Sequence, residues 1–227
     1  MTSEKMLELL NEYISKMEKE ERDLIEAVTK SGNFDIKACF PAAALAELKR
    51  GLLENIRIES AKSAGRLSAL KAAKRIEKSA QEWKREERKT CWIGADGRQY
   101  ICSGYHMVAL NSPLDLETGN ARPDVEKNLK MCENGENGYT KALELPSIAE
   151  LKAHIKTEKA NPEHNKKHPV SFDFGLSLPM VNAQYLVDIL ECLPDCTCTI
   201  NEQKGYASML VFSSESGAGV LCPVRKP

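Results

Sequence analysis

Met6, Leu10, Tyr13, Met17, Leu24 and Val28 stand three, four or seven positions apart, so residues 3 to 30 are expected to form an amphipathic helix stopped by Ser31-Gly32-Asn33. Glu20 interrupts the apolar stripe, which favours packing against the rest of the chain or a partner over a long coiled coil. The stretch "FDIKACF" predicts a short strand ended by Pro41, and "AAALAELKRGLLENI" a helix with Leu45, Leu48, Leu52 and Ile56 on one face. From Glu59 to Arg88 a narrow stripe of Ala69, Ala73, Ile76, Ala80 and Trp83 runs through charged residues, the pattern of an exposed helix.

After Thr90 the pattern changes. "TCWIGADGRQYICSGYHMVALNSP" reads as short strands joined by tight turns, with "ADG" as a hairpin signal. Residues 111 to 141, with "ENGENG" among them, are polar and turn-rich and predict a loop. "ELPSIAELKAHIKTE" is a helix entered through Pro146, with Ser147 and Glu150 spaced as a capping box; "KANPEHNKKHP" is a loop. "VSFDFGLSL" alternates Phe172, Phe174, Leu176 and Leu178 as a strand does, and Pro179 ends it. From Asn182, a plausible N-cap, Tyr185, Leu186, Ile189, Leu190 and Leu193 fall on one helical face up to Pro194. Three strand candidates follow, "CTCTINEQ", "YASMLVFSS" and "GVLCPVR". "FPAAALAELKRGLL" and "LELPSIAELKAHIK" repeat the rule of an apolar run, a Pro and an amphipathic helix, which points to an internally duplicated α+β fold.

With 227 residues, 42% hydrophobic and 29% charged, the chain has room for one large or two small domains and an ordinary core. We place a helical region over 1–89 and an α+β domain over 90–227, leaving open whether part of 34–89 belongs to the latter. No window holds the roughly 18 to 20 unbroken apolar residues of a membrane helix, and the N-terminus lacks a signal-peptide core. The expectation is a cytoplasmic protein without a membrane partner. Charge is uneven. Lys49 to Lys89 hold thirteen bases against six acids, a net of +7, which leaves about −8 for the rest of a chain whose total is −1. Such a segment either attracts a phosphate backbone or is a solvated helix face of i,i+4 pairs.

Eight cysteines include no CxxC pair, and His164 and His168 lie in a Pro-bounded loop, so neither a metal nor a cofactor is expected. Reduced thiols suit a cytoplasmic chain. Asp96, Asp173 and Asp188 have no His or Cys at a spacing that marks a general base or nucleophile, and no phosphate-binding glycine loop is present. No enzyme is expected.

The segment "LPMVNAQYLVDILECLPDCTCTINEQKGYASMLVFSSESGAGVLCPVR" resembles the last half-domain of the bacterial DNA sliding clamp, the DNA polymerase III beta subunit. Its last strand, Val220 to Arg225, meets the clamp ending "ylvMPvR"; "CSGYHMVALNSP" is similar to "tDGhRLAv", and "ARPDVEKNL" to "fPdYrrvlP". The order of the pieces is that of the clamp. Ser103-Gly104 replaces the clamp's Asp-Gly, Met107 its Arg and Cys222 its final Met. The resemblance implies clamp-like β-α-β-β-β half-domains and a non-enzymatic role. Clamp helices line a basic channel that holds duplex DNA without reading sequence, for which Lys49, Arg50, Lys152 and Lys156 are the candidates here. A hydrophobic groove takes short peptides of polymerases and repair proteins; carried over, it uses Gly104, Tyr105, His106, Met107, Val220, Cys222, Pro223 and Val224. One such domain per chain encloses DNA only as a homo-oligomer. The alternative is a clamp-fold adaptor or regulator, of phage or mobile-element origin, that binds proteins and no DNA.

Overall fold

The structure, a computed structural model, describes residues 5–17, 19, 40–81, 90–162, 164–165 and 168–224. It divides into two compact units, 1–67 and 68–227. In the first, residues 5–17 form helix α1 and Phe40–Ser63 helix α2. Pro41 occupies the first turn of α2, where a missing N–H leaves no bond unmade. Phe40 is helical, while the remainder of the expected strand, the stop at Ser31-Gly32-Asn33, and Trp83 lie outside the described residues. The single expected helix from Glu59 to Arg88 is broken: α2 ends at Ala64-Gly65, where Gly65 takes φ +68 and the Arg66 amide donates back to the Ala61 carbonyl at 2.7 Å.

The second unit begins earlier than expected, because α3 (Leu67–Gln81) belongs to it. The unit continues with β1 (Cys91–Ile93), β2 (Gln99–Cys102), β3 (His106–Leu110), α4 (Pro123–Glu133), β4 (Tyr139–Leu143), α5 (Ile148–Ala160), β5 (Ser171–Asp173), β6 (Met180–Asn182), α6 (Ala183–Cys192), β7 (Thr197–Asn201), a 3-10 segment Glu202–Ala207, β8 (Leu210–Ser214) and β9 (Gly217–Leu221). A seven-stranded antiparallel sheet runs in the order β1-β2-β3-β9-β8-β7-β4, and β5 and β6 form a separate hairpin.

The α+β class is visible in this order, but the echoes from which duplication was expected fall on α2 and α5, neither of which opens a three-strand meander. Each of α3 and α6 is followed by a three-strand meander, and the two meanders meet at their last strands, β3 and β9. The junction is two-fold symmetric about the Val108–Gly219 pair. At one end the Cys222 amide donates to the Tyr105 carbonyl at 2.8 Å; at the other, the Asn111 amide donates to Ser216 at 2.9 Å.

Strand alternation sends side chains to two helical layers. Trp92, Tyr100, Met107, Ala109 and Ala218 face α4, packing on Leu129. On the opposite face His106 meets α6, and Gly219 lets α6 approach so closely that a Cβ there would lie 3.1 Å from Leu193. Helix α3 lies beside α6: Ser79 Oγ donates to the Tyr185 hydroxyl at 3.0 Å, and the Arg75 guanidinium donates to Asp188 at 2.7 Å and Glu191 at 2.5 Å. Its small residues Ala69, Ala72, Ala73, Ile76 and Ala80 are buried, so the Ala stripe is a packing face rather than the trace of an exposed helix.

Local signals account for most helix starts. Asn182 caps α6 through bonds from the Gln184 and Tyr185 amides, and Ser147 and Glu150 form the expected capping box of α5. Two further elements differ from expectation. Helix α4 occupies part of the predicted 111–141 loop, entered through Pro123 with Asp124 and Glu126 in its first turn. Residues 170–178 do not make one strand ended by Pro179; β5 stops at Asp173 and turns back, so Pro179 precedes the second strand of a hairpin. None of the seven described cysteines is in a disulfide, and no described helix is long and apolar enough to cross a membrane.

Gly217 opens β9 at φ +146, and a Cβ there would sit 2.0 Å from the Ala109 carbonyl oxygen across the central strand pair. Gly217→Ala therefore must push β3 and β9 apart, and urea unfolding is expected to show a loss of more than about 2 kcal/mol. Gly97→Ala, at φ +79 with no atom within 4 Å, is the control; backbone strain alone should cost it about 1 kcal/mol.

Candidate functional site

A half-open cavity of about 750 Å³ lies between α4 and the ends of β3 and β9. It falls within the size range of ligand sites. Six of the eight expected groove residues border it: Gly104, Tyr105, His106, Met107, Val220 and Cys222. The register explains why. Tyr105 sits in the β2–β3 turn, Met107 pairs with Val220, and the Cys222 amide bonds Tyr105, so two chain segments far apart in sequence reach one sheet end. Pro223 and Val224 do not border the cavity; Val224 leaves the sheet end and its amide donates to the Met180 carbonyl at 2.8 Å, against the β5–β6 hairpin.

Helix α4 supplies the facing wall with Val125, Leu129 and Cys132, and Met209 and Tyr139 close the far side. The charged residues at the cavity are Arg122, Asp124 and Lys204. All of these come from segments whose sequence reads as loop or as strand margin. The one local sign of α4 is Pro123 followed by two acids. Tyr105 at the mouth is 43% exposed, a large exposure for an aromatic beside an apolar wall.

The wall is held by buried polar bonds. Glu126, only 5% exposed, accepts from Trp92 Nε1 at 2.9 Å and from the Ala95 amide at 3.2 Å, and so ties α4 to the β1–β2 hairpin. Arg98 adds a bidentate bond to Glu133 at 2.8 and 2.9 Å. Burial pushes the Asp96 carboxyl up, but bonds from Tyr100 and Arg98 outweigh it and hold the group well below the usual carboxylate range. Burial raises the thiols of Cys132 and Cys222, two of the three cysteines at the cavity, so these two stay protonated at neutral pH.

His106 borders the cavity, yet its ring lies against α6. It stacks on Tyr185 at 4.0 Å, and Nδ1 is 2.7 Å from Ser103 Oγ. Nε2 has no hydrogen-bond partner and stands 3.8 Å from Asp188 Oδ2. A Ser, a His and an Asp are thus in one line, but the serine is only 6% exposed and its Oγ accepts from the Tyr105 and His106 amides. That hydroxyl is engaged by the turn, and Ser103 is not among the residues that border the cavity.

Of the DNA candidates, Lys49 and Arg50 lie on α2 in the first unit, and Lys152 and Lys156 on α5 in the second. Lys152 donates to Glu191 at 2.6 Å, while Lys156 is exposed. Glu191 also holds Arg75, so the acids of α6 already engage two bases of the helical layer. Among the described residues no group of three or more His, Cys, Asp or Glu is placed to hold a metal ion.

No protein-family model, curated protein or solved structure matches this chain.

His106 gives the unit a defined acid response. Burial lowers its pKa from 6.5 to about 3. The unfolded chain takes up the proton first, so stability falls as pH drops below 6.5 and continues to fall towards 3. The slope from this residue is at most about 1.4 kcal/mol per pH unit. Asp188, which burial pushes up, changes in the opposite sense, and Arg75 moderates it. Urea unfolding near neutral pH and near pH 5 should show that His106→Phe loses less stability on acidification than the native chain.

Proposed function

We propose that the second unit is a non-enzymatic docking module, related in plan to a sliding-clamp domain, that takes a short apolar segment of a partner protein in the cavity between α4 and the β3–β9 end. The observation that carries this reading is convergence. Six residues chosen by sequence resemblance as a peptide groove border one cavity of about 750 Å³. Its wall of Met107, Val125, Leu129, Met209 and Val220 suits apolar side chains, and thioether groups adapt to varied shapes. The two halves of the duplicated sheet fit the same plan, an α helix and three strands each.

The adaptor form of this reading is preferred to the DNA-associated form. Of the bases on the helices over the sheet, Arg75 and Lys152 are engaged by Asp188 and Glu191, which leaves less positive charge there for a phosphate backbone. Helix α6 itself has no base and buries Asp188 at 2% exposure.

Fluorescence anisotropy with a labelled clamp-motif peptide tests the site. Tyr105→Ala and Met209→Asp are each expected to weaken binding about tenfold or more, the scale of a central interface residue, with an unchanged circular dichroism spectrum. Equal affinity in both variants would place the peptide elsewhere. Gel-shift titration with duplex DNA at low salt separates the two forms. Binding that is lost steeply as salt rises would favour the DNA-associated form over the adaptor.

A further inference from the structure

Arg122 and Lys204 are held differently from the ion-paired bases around the sheet. Arg75, Arg98, Lys130, Lys141 and Lys152 all sit within ion-pair distance of a carboxylate. Among the described residues Arg122 and Lys204 make no ion pair. Each is instead placed over an aromatic ring: the Arg122 guanidinium 5.8 Å from the Trp92 centroid, and Lys204 Nζ 5.4 Å from that of Tyr139. Both rings belong to buried residues, Trp92 at 0% and Tyr139 at 4% exposure, so they are fixed platforms. A ring face orients a cation without neutralising it. Both cations border the same cavity, where Asp124 is the sole described carboxylate.

From this arrangement, and resting on the docking reading above, we infer that the segment the cavity takes is an acidic peptide. Its apolar side chains enter against Met107, Leu129 and Val220, while neighbouring carboxylates meet Arg122 and Lys204. Charge complementarity selects this occupant. The mouth carries two cations against one acid, and a carboxylate gains charge-assisted hydrogen bonds from groups already held in place. A basic segment would meet two like charges. A purely apolar one would leave both cations beside apolar surface without a counter-charge. Asp124, in the first turn of α4, disfavours a carboxylate on that side and so sets the direction in which the acid lies.

The experiment is selection of random linear displayed peptides on the full chain, on the Arg122→Gln/Lys204→Gln double variant and on Met209→Asp. The native chain should enrich peptides that combine Asp or Glu with large apolar residues, and the double variant should lose the acidic bias while keeping the apolar one. One enriched peptide is then synthesised with its acids intact and as the Asn/Gln counterpart. Anisotropy should show the amide form binding about three- to tenfold more weakly to the native chain, the scale of a partly exposed charge pair, and about equally to the double variant. Apolar peptides enriched without acids, or an amide form that binds the native chain as well as the acid form, would overturn the acidic reading and leave docking intact. No enrichment on the native chain, or the same peptides enriched on Met209→Asp, would overturn docking itself.

Discussion

The pairing of β3 with β9 is the constraint on which the second unit depends. It is the seam between two meanders far apart in sequence, and its closeness is set by backbone: at Gly217 there is no room for a Cβ beside the Ala109 carbonyl. Because the seam fixes register, it also fixes what surrounds the strand ends. Met107 lies opposite Val220 and Tyr105 beside Cys222, so the cavity mouth follows from the same hydrogen bonds that join the halves. The cavity mouth and the folding core share one set of contacts, which leaves little freedom to change one without the other.

The two faces of the sheet are stabilised by different physics. The α4 face is an aromatic and aliphatic layer in which Trp92 and Tyr100 stack at 5.4 Å and two buried or half-buried glutamates fasten the helix. The α6 face buries charge. Burial outweighs Arg75 in setting the Asp188 carboxyl, which is raised, and Gln184 contributes a further bond. Removing one member of such a group costs more than the group contributes as a whole, because the remaining charge is stranded. The helical layer is therefore specific in its pairing, and α3 joins the sheet unit through these bonds as well as through its alanines.

What the sequence revealed follows how local each signal is. Asn182 and Ser147 with Glu150 are short-range chemistry, and the structure has them where the pattern put them, whereas β8 begins only at Leu210 and β9 runs Gly217–Leu221 instead of over the expected 219–225. Six of the residues expected at a groove border one cavity because they lie on two short segments, at the ends of β3 and β9, that register brings together. Helix α4 was not legible: its buried positions are Glu126, Leu129 and Cys132 within a polar stretch, too few for a periodic stripe. Arg122, Lys204 and Met209 escaped for a different reason, since a cavity wall assembled from separate segments has no spacing of its own. The hairpin at 171–182 misled because alternation continues through Phe174 and Leu178, although Gly175, at φ +129, turns the chain between them.

The two-fold seam has two ends, and they are closed by different side chains. Where Tyr105 and Cys222 meet, the symmetry-related positions are Ser216 and Asn111, and there the Asn111 side chain bonds the Glu215 carbonyl at 2.9 Å. The duplicated frame thus holds its own reference: the same backbone geometry closed by polar groups at one end and left apolar beneath an added helix at the other.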